Sequence, residues 1–182
     1  MKRTYFFVLA WMILYFIRLQ AQCWQSISAG DYQTNAIKND GTHWAWGDNT
    51  YGELGDGTFT DKNTPTQIGT GTNWQSIAAG LYHTLAIKSD GTLWAWGANA
   101  YGQLGDGTNN YKTIPTQIDT AKDWQSIATG YYHSLAIKSD GSLWAWGYNS
   151  FGQLGDGTNI NKYTPTQIGI SIDWQSIAGG SH

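Results

Sequence analysis

The sequence has few cysteines, prolines and charged residues, and these shortages exclude several classes of protein. Of 182 residues, one is a cysteine (Cys23), three are prolines, and 13% are charged. A single cysteine cannot form an intramolecular disulfide, so the chain is not a disulfide-stabilised scaffold. With 41% hydrophobic and 15% aromatic residues, the composition is not that of a disordered chain. Stability must therefore come from packing alone.

Basic residues are also scarce, which argues against nucleic-acid binding. Without the first 21 residues, which carry Lys2, Arg3 and Arg18, seven lysines and thirteen acidic residues remain, a net charge of −6. These lysines are spread along the chain, whereas a nucleic-acid binder needs a clustered basic patch that displaces counterions. We therefore expect no nucleic-acid partner.

Long apolar runs are absent except near the N-terminus. Residues 5–17 form a 13-residue apolar run that follows Lys2 and Arg3, and Ala21 is a small residue suited to cleavage. This pattern predicts an export signal over residues 1–21. A membrane-spanning helix needs about 20 apolar residues, and this run is short for one. The alternative to a cleaved signal is an uncleaved membrane anchor. We expect a secreted or cell-surface protein with no membrane span in its mature part.

The most prominent feature is a repeat of 50 residues. The motif WQSI begins at Trp24, Trp74, Trp124 and Trp174, and residues 74–123 and 124–173 agree at 35 of 50 positions. A period near 50 is typical of propeller blades. The predicted organisation is a signal peptide, three repeats and the start of a fourth, at residues 1–21, 22–73, 74–123, 124–173 and 174–182.

Each repeat has the pattern of four short strands. In the second repeat we predict strands at 74–79, 83–88, 92–96 and 115–118, the last beginning at its proline. An Asp-Gly pair at Asp90 favours a hairpin between the second and third strands. No helical periodicity occurs outside the signal segment. The predicted fold is all-β, a propeller-type array of about three four-stranded antiparallel blades plus a stub.

The repeated motif resembles that of the regulator of chromosome condensation family. The pattern is G-x-x-H-[ST]-L-A-I-K-x-D-G-x-x-W-x-W-G-x-N-x-x-G-Q-L-G-x-G. In the second repeat it comprises Gly80, His83, Leu85, Asp90, Gly91, Trp96, Gly97, Asn99, Gly102, Gln103, Leu104 and Gly105; the third repeat matches at the same spacing. The resemblance implies a β-propeller, typically of seven blades.

The first repeat departs from this pattern at Gln33, Asn35 and Glu53. Three blades and a stub cannot close a ring. We therefore expect the chain to be a fragment of a larger protein; capping of the open ends by another chain is the alternative.

The repeated polar and aromatic motifs have structural explanations that we favour over catalytic or binding ones. The GDGT segments lack the lysine of a phosphate-binding loop and suit tight turns. Asp48, Asp56 and Asp61 lack the spacing of a calcium loop. His83 and His133 are predicted to be buried, hydrogen-bonded imidazoles. The Trp94/Trp96 pair and its equivalents are predicted to pack blade against blade rather than to bind sugar.

We expect no catalytic, cofactor-binding or metal-binding residues, because no nucleophile–base–acid set recurs along the chain. The copies differ mainly in their loops, where rigid scaffolds present binding surfaces, although drift in unconstrained loop tips explains this equally well. The predicted function is a non-enzymatic module that binds a protein or cell-surface ligand. The candidate contacts are aromatic residues of these loops: Tyr51, Tyr101, Tyr111, Tyr131, Tyr148 and Phe151.

Two other functions remain open at the level of sequence. The resemblance extends to propeller-type β-lactamase inhibitory proteins, which implies a secreted enzyme inhibitor as the main alternative. The family name implies a third function, guanine-nucleotide exchange on a small GTPase, which the export signal and the incomplete ring disfavour.

Overall fold

The computed structural model describes residues 23–181, and within them the chain forms twelve β-strands in three separate sheets. The predicted export signal lies outside the described residues. Among residues 23–181, no helix is long and apolar enough to cross a membrane.

Each sheet is a four-stranded antiparallel blade whose strands follow one another in chain order. Blade 1 contains β1 (Trp24–Ala29), β2 (Gln33–Lys38), β3 (His43–Gly47) and β4 (Lys62–Gln67). Blade 2 contains β5 (Trp74–Ala79), β6 (His83–Lys88), β7 (Leu93–Gly97) and β8 (Lys112–Gln117). Blade 3 contains β9 (Trp124–Thr129), β10 (His133–Lys138), β11 (Leu143–Gly147) and β12 (Lys162–Gln167).

The structure confirms the first two predicted strands of the second repeat and corrects the other two. The third strand begins one residue later than predicted, at Leu93. The prediction that the fourth strand begins at Pro115 is wrong, because β8 begins at Lys112 and contains the proline. Since β8 pairs only with β7, one of its edges is unpaired and tolerates a residue without an N–H.

The Asp-Gly hairpins form as predicted between the second and third strands of each blade. Gly91 has a φ of 78°, in the left-handed region where a side chain is strained. A Cβ atom there would also lie 2.1 Å from the carbonyl oxygen of Lys122. Glycine is therefore required at this turn for two independent reasons.

The predicted packing role holds for the second tryptophan of the pair in blades 2 and 3, which joins neighbouring blades, whereas the first, such as Trp94, is half-buried and contacts Trp74 of its own blade. Trp96 and Trp146 are fully buried. The indole nitrogen of Trp146 donates a hydrogen bond to the backbone carbonyl of Gln103 in the preceding blade, at 3.0 Å. The hydroxyl of Ser134 donates to the same carbonyl at 2.7 Å. Blade 3 is thus fixed to the loop of blade 2, and Trp96 and Thr84 fix blade 2 to the loop of blade 1 in the same way.

One departure in the first repeat, Asn35, pairs in the core with His43, which stands where the other two blades have leucine. Asn35 and His43 are both fully buried, and their side chains share a hydrogen bond of 2.8 Å between Oδ1 and Nε2. In blade 2 the same positions are held by Leu85 and Leu93, which belong to the apolar core. A polar pair therefore replaces an apolar pair, and its two side chains bond to each other, while Nδ1 of His43 has no hydrogen-bond partner among the described residues.

The chain after blade 3 continues in the geometry of a further repeat. The backbone N–H of Trp174 donates to the carbonyl of Gly141 at 3.2 Å, as Trp124 does to Gly91. Residues 174–181 therefore lie against blade 3 where the first strand of another blade would begin.

Candidate functional site

The antiparallel order of the blades collects their loops at two opposite ends. The turn between the first and second strands and the loop between the third and fourth strands open at one end, which we call the loop end. The Asp-Gly hairpins and the connections between blades open at the other. The loop end therefore presents two segments from each blade side by side.

The turn before the second strand supplies one tyrosine from every blade. Tyr32, Tyr82 and Tyr132 occupy the same position in the three repeats. The rings of Tyr32 and Tyr82 are stacked, with centroids 6.2 Å apart and planes 18° apart. The repeat thus places a row of phenol rings on the loop end.

The long loop after the third strand adds a ring that contacts the next blade. Tyr51 of blade 1 lies 4.6 Å from Tyr82 of blade 2 and 5.6 Å from Tyr111, measured between ring centroids. In the same way, Tyr101 of blade 2 lies 5.2 Å from Tyr132 of blade 3. The aromatic contacts therefore bridge both blade junctions.

The second junction carries the larger group of rings. Tyr101 lies 4.8 Å from Tyr148, and Tyr148 lies 6.1 Å from Phe151. Tyr131 lies 6.3 Å from Tyr132. We call the whole set the tyrosine face; its members are Tyr32, Tyr51, Tyr82, Tyr101, Tyr111, Tyr131, Tyr132, Tyr148 and Phe151.

The rings of the tyrosine face are close enough to influence one another's ionisation. Burial, followed by the nearby phenols of Tyr32 and Tyr51, raises the pKa of Tyr82. Burial and the neighbouring Tyr101 raise the pKa of Tyr132. A hydrogen bond to Asp31 raises the pKa of Tyr131. These phenols therefore stay neutral near pH 7 and can donate hydrogen bonds to a ligand.

A cavity of about 210 Å³ lies beside the tyrosine face, between the first turns of the three blades. Gly30, Gly80 and Gly130 line it, together with Asp31 of blade 1 and Tyr131 of blade 3. Asp31 and Tyr131, which belong to the outer two blades, therefore interact across this cavity.

The lysines at the loop end are neutralised by aspartates of the GDGT segments. Lys62 pairs with Asp56 at 2.7 Å, and Lys112 pairs with Asp106 at 3.2 Å. The equivalent pair in blade 3 is 3.0 Å long. By contrast, neither Asp31 nor Asp48 has an ion-pair partner among residues 23–181. The loop end therefore carries net negative charge.

Glu53 adds a buried carboxyl group beneath this surface. Its side chain is fully buried, and Oε2 accepts a hydrogen bond from the backbone N–H of Tyr51 at 2.7 Å. Oε1 has no hydrogen-bond partner within the described part of the chain. Burial, with a smaller contribution from the nearby Asp48, raises the pKa of Glu53 to about 7. Blades 2 and 3 have the neutral Gln103 and Gln153 here.

The structure places all six predicted contact residues in the tyrosine face, at its two blade junctions. Tyr51 and Tyr111 lie at the first junction, and Tyr101, Tyr148 and Phe151 lie at the second, linked to Tyr131 through Tyr132. Their role in binding stays a prediction.

Sequence reasoning missed three rings that connect this set. Tyr32, Tyr82 and Tyr132 are identical in every copy, whereas the predicted contacts are mainly loop positions at which the copies differ. The recurrence of tyrosine directly before each second strand was the signal that could have found them.

The repeated polar motifs have the structural roles predicted for them. The amide of Asn99 donates to Asp106 at 3.0 Å and to the carbonyl of Thr108 at 3.1 Å, which closes the GDGT loop. His83 is fully buried, with Nε2 3.0 Å from the hydroxyl of Ser134, and burial lowers its pKa to about 3. Within residues 23–181, no three potential ligand side chains come together in a group that could hold a metal ion.

Two family profiles match the chain, both described as "Regulator of chromosome condensation (RCC1) repeat". One matches residues 40–87, 90–137 and 140–182, and the other matches residues 74–103 and 124–153.

Solved structures with the same arrangement of blades include human WBSCR16, at 24% identity and a TM-score of 0.77 over 86% of this chain and 42% of that chain. Prp20p from Saccharomyces cerevisiae, whose binding to Gsp1p and histones has been described, matches at 25% identity and a TM-score of 0.71, over 81% of this chain and 39% of that chain. The yeast protein bound to Kap60 matches equally well, over 37% of its length. The chain thus spans about two fifths of the length of these relatives.

Proposed function

The chain belongs to the regulator of chromosome condensation (RCC1) repeat family, and from this premise we propose that it is an exported, non-enzymatic module that binds a partner protein through its tyrosine face. The family and the propeller-type fold predicted from the sequence are both confirmed. Prp20p, a relative at 25% identity, binds other proteins. The identity of a partner does not transfer at this distance.

Aromatic rings from both loop segments contact one another across both blade junctions, and this observation carries the proposal. Tyr32 is 61% exposed and Phe151 is 72% exposed, while Tyr51 and Tyr82 are half-buried beside them. Aromatic rings of this kind supply large contact area at low entropic cost and dominate protein-binding hot spots. Their hydroxyl groups add directional hydrogen bonds.

The non-enzymatic part of the proposal is supported by what the recurring polar groups already do. Asn99 closes its loop, Asp106 pairs with Lys112, and His83 contacts Ser134 inside the blade junction. Groups committed to such contacts are not poised to attack a substrate or to transfer its protons. Export is supported by the N-terminal sequence alone, and N-terminal sequencing of protein recovered from the culture medium tests it.

Selection from a random peptide library on the immobilised full chain tests the binding function. We expect enriched peptides to lose at least tenfold in affinity for Tyr51→Ala and Tyr82→Ala. The matched control is Phe59→Ala, because Phe59 is 61% exposed and makes no ring contact with the tyrosine face. Circular dichroism establishes that each variant is folded. Peptides that bind all three variants equally would refute a role for this surface.

A further inference from the structure

Resting on the proposed function, we propose that the tyrosine face at the junction of blades 1 and 2 receives a cationic side chain of the partner protein, a lysine or an arginine, between Asp48 and the rings of Tyr51 and Tyr82. The partner segment is therefore basic. The inference rests on charge, on burial and on the arrangement of the rings at this one place.

The junction of blades 1 and 2 has an aspartate, Asp48, whose charge no lysine among the described residues neutralises. Lys62 and Lys112 are the lysines at the start of the outer strands at this junction, and both are held by aspartates of their own loops. Asp48 has no ion-pair partner in residues 23–181. A carboxylate next to an aromatic surface is incompletely screened by water, so it attracts a complementary charge more strongly than an isolated surface group does.

The carboxylate of Asp48 is held in a fixed position by its own loop. Oδ1 of Asp48 accepts hydrogen bonds from the backbone N–H and the hydroxyl of Thr50, at 3.2 and 2.7 Å. The carboxylate is therefore held at the rim instead of turning freely into solvent. A group positioned in advance loses little entropy when it binds a ligand.

A second carboxyl group, that of Glu53, lies beneath the same junction. Glu53 is fully buried, its Oε1 has no hydrogen-bond partner among the described residues, and Asp48 is close enough to help raise its pKa. Tyr51 lies in the same loop, and Tyr82 contacts Tyr51 from blade 2. Neighbouring carboxyl groups repel each other when both are ionised, so an added cation stabilises the ionised pair.

The rings of Tyr51 and Tyr82 are arranged so that a cationic side chain can contact both of them. The planes of Tyr51 and Tyr82 are inclined at 54° with centroids 4.6 Å apart, and Tyr32 stacks beside Tyr82. Rings inclined in this way offer their faces and edges from two directions to one ligand. A lysine or arginine side chain has a cation for the ring faces and an apolar stem for the ring edges. An anionic ligand would meet only repulsion from the carboxylates.

Calorimetry with designed peptides tests the proposal. The probes are seven-residue peptides of glycine and serine with three arginines, three lysines or three citrullines. We expect the arginine and lysine peptides to bind at least tenfold more tightly than the neutral citrulline peptide. Asp48→Asn should weaken the arginine peptide about fivefold, the order of one cation contact. The matched control is Asp173→Asn, which removes the same charge at the opposite end of the blades.

A proton measurement provides a second, independent readout. A cation beside Glu53 favours its ionised form, so binding near pH 7 should release protons. The apparent binding enthalpy should then differ between phosphate and Tris buffers for the wild-type chain, and the difference should disappear in Glu53→Gln. This variant introduces the residue found in the other two blades and is therefore expected to fold.

Three results would overturn the inference: equal binding of the citrulline peptide, equal effects of Asp48→Asn and Asp173→Asn, or binding of neutral oligosaccharides in place of the basic peptides. The peptide-library selection separates this failure from failure of the proposed function. If selected peptides depend on Tyr51 and Tyr82 but are not enriched in lysine or arginine, protein binding stands and the cationic partner does not. If no selected peptide depends on these rings, the proposed function itself fails.

Discussion

The indole nitrogen of Trp96 donates a hydrogen bond of 2.9 Å to the backbone carbonyl of Glu53, in the preceding blade. The hydroxyl of Thr84 donates to the same oxygen, also at 2.9 Å. One carbonyl at the turn of a loop therefore receives two donors from the next blade. The same arrangement recurs 50 residues later, so the connection between blades is a property of the repeat.

Trp96→Phe should weaken the junction between blades 1 and 2. The change removes the indole donor and leaves space beside the Glu53 carbonyl, so we expect a loss of about 2 kcal/mol in the free energy of unfolding, measured in urea. The control is Trp46→Phe, because Trp46 is half-buried and its indole nitrogen has no hydrogen-bond partner among residues 23–181. Equal losses for the two variants would contradict the role of this bond.

Gly105→Ala should be much more destabilising than Gly155→Ala, although both glycines hold the same position in their repeats. Both have positive φ, 81° and 73°, which costs an added side chain about 1 kcal/mol. A Cβ atom on Gly105 would also lie 2.7 Å from the indole nitrogen of Trp146, whereas on Gly155 the nearest atom is 3.7 Å away. We expect Gly105→Ala to lose about 2 kcal/mol more in the free energy of unfolding than Gly155→Ala, measured by thermal denaturation. Equal losses for the two variants would mean that backbone strain alone, and not the contact with Trp146, determines the effect.

The Asn35–His43 pair should behave as a coupled unit. Either single change to leucine leaves one buried polar group without its partner, which costs about 1–3 kcal/mol. The double change Asn35→Leu with His43→Leu reproduces the residues of blade 2 and should cost less than the sum of the single changes. A double-mutant cycle in urea measures the coupling, and strictly additive losses would show that the two side chains act independently.

The same histidine makes stability depend on acidity. Burial lowers the pKa of His43 to about 3, from an ordinary value of 6.5. Between these values the unfolded chain binds a proton that the folded chain does not, so stability falls as the pH decreases below 6.5, by about 1.4 kcal/mol per pH unit. The double leucine variant should show a shallower decline between pH 6.5 and 4, and the buried His83, whose pKa is lowered to about 3, should contribute to the decline that remains. An unchanged slope would exclude His43 as a cause.

Glu53→Gln should stabilise the chain in alkaline solution and have little effect in acid. With the folded pKa at about 7 and the ordinary value at 4.5, the folded state binds more protons between these values, so wild-type stability falls as the pH rises through that range. The advantage of the variant should be near zero at pH 4.5 and reach on the order of 3 kcal/mol above pH 7. Urea unfolding at pH 4.5 and pH 8 measures it, and a difference independent of pH would place the cause elsewhere.

Much of the fold could be predicted because the repeat fixes it locally. The period of 50, the Asp-Gly hairpins and the alternation of apolar residues were sufficient for strands 74–79 and 83–88 and for the four-stranded blade. The start of β8 was misplaced, because proline at an unpaired edge is compatible with a strand, which the local sequence does not reveal.

The candidate site was only partly predictable. Loop variability led to Tyr51 and Tyr101, but the partners of these rings are Tyr82 and Tyr132, each in the next blade and about 31 residues further along the chain. No local pattern records a contact over such a separation. The exceptional character of Glu53 was visible as a departure from glutamine, but its burial and its raised pKa were not.

The repeat, the four-stranded blade and the Asp-Gly turns follow from the amino-acid sequence alone, because each depends on residues within one 50-residue unit and on short-range backbone geometry. The carbonyl that each buried tryptophan contacts and the rings that form the tyrosine face are established only by the packing of one blade on the next. Those relationships arise between blades, where side chains distant in sequence are brought within a few ångströms by packing.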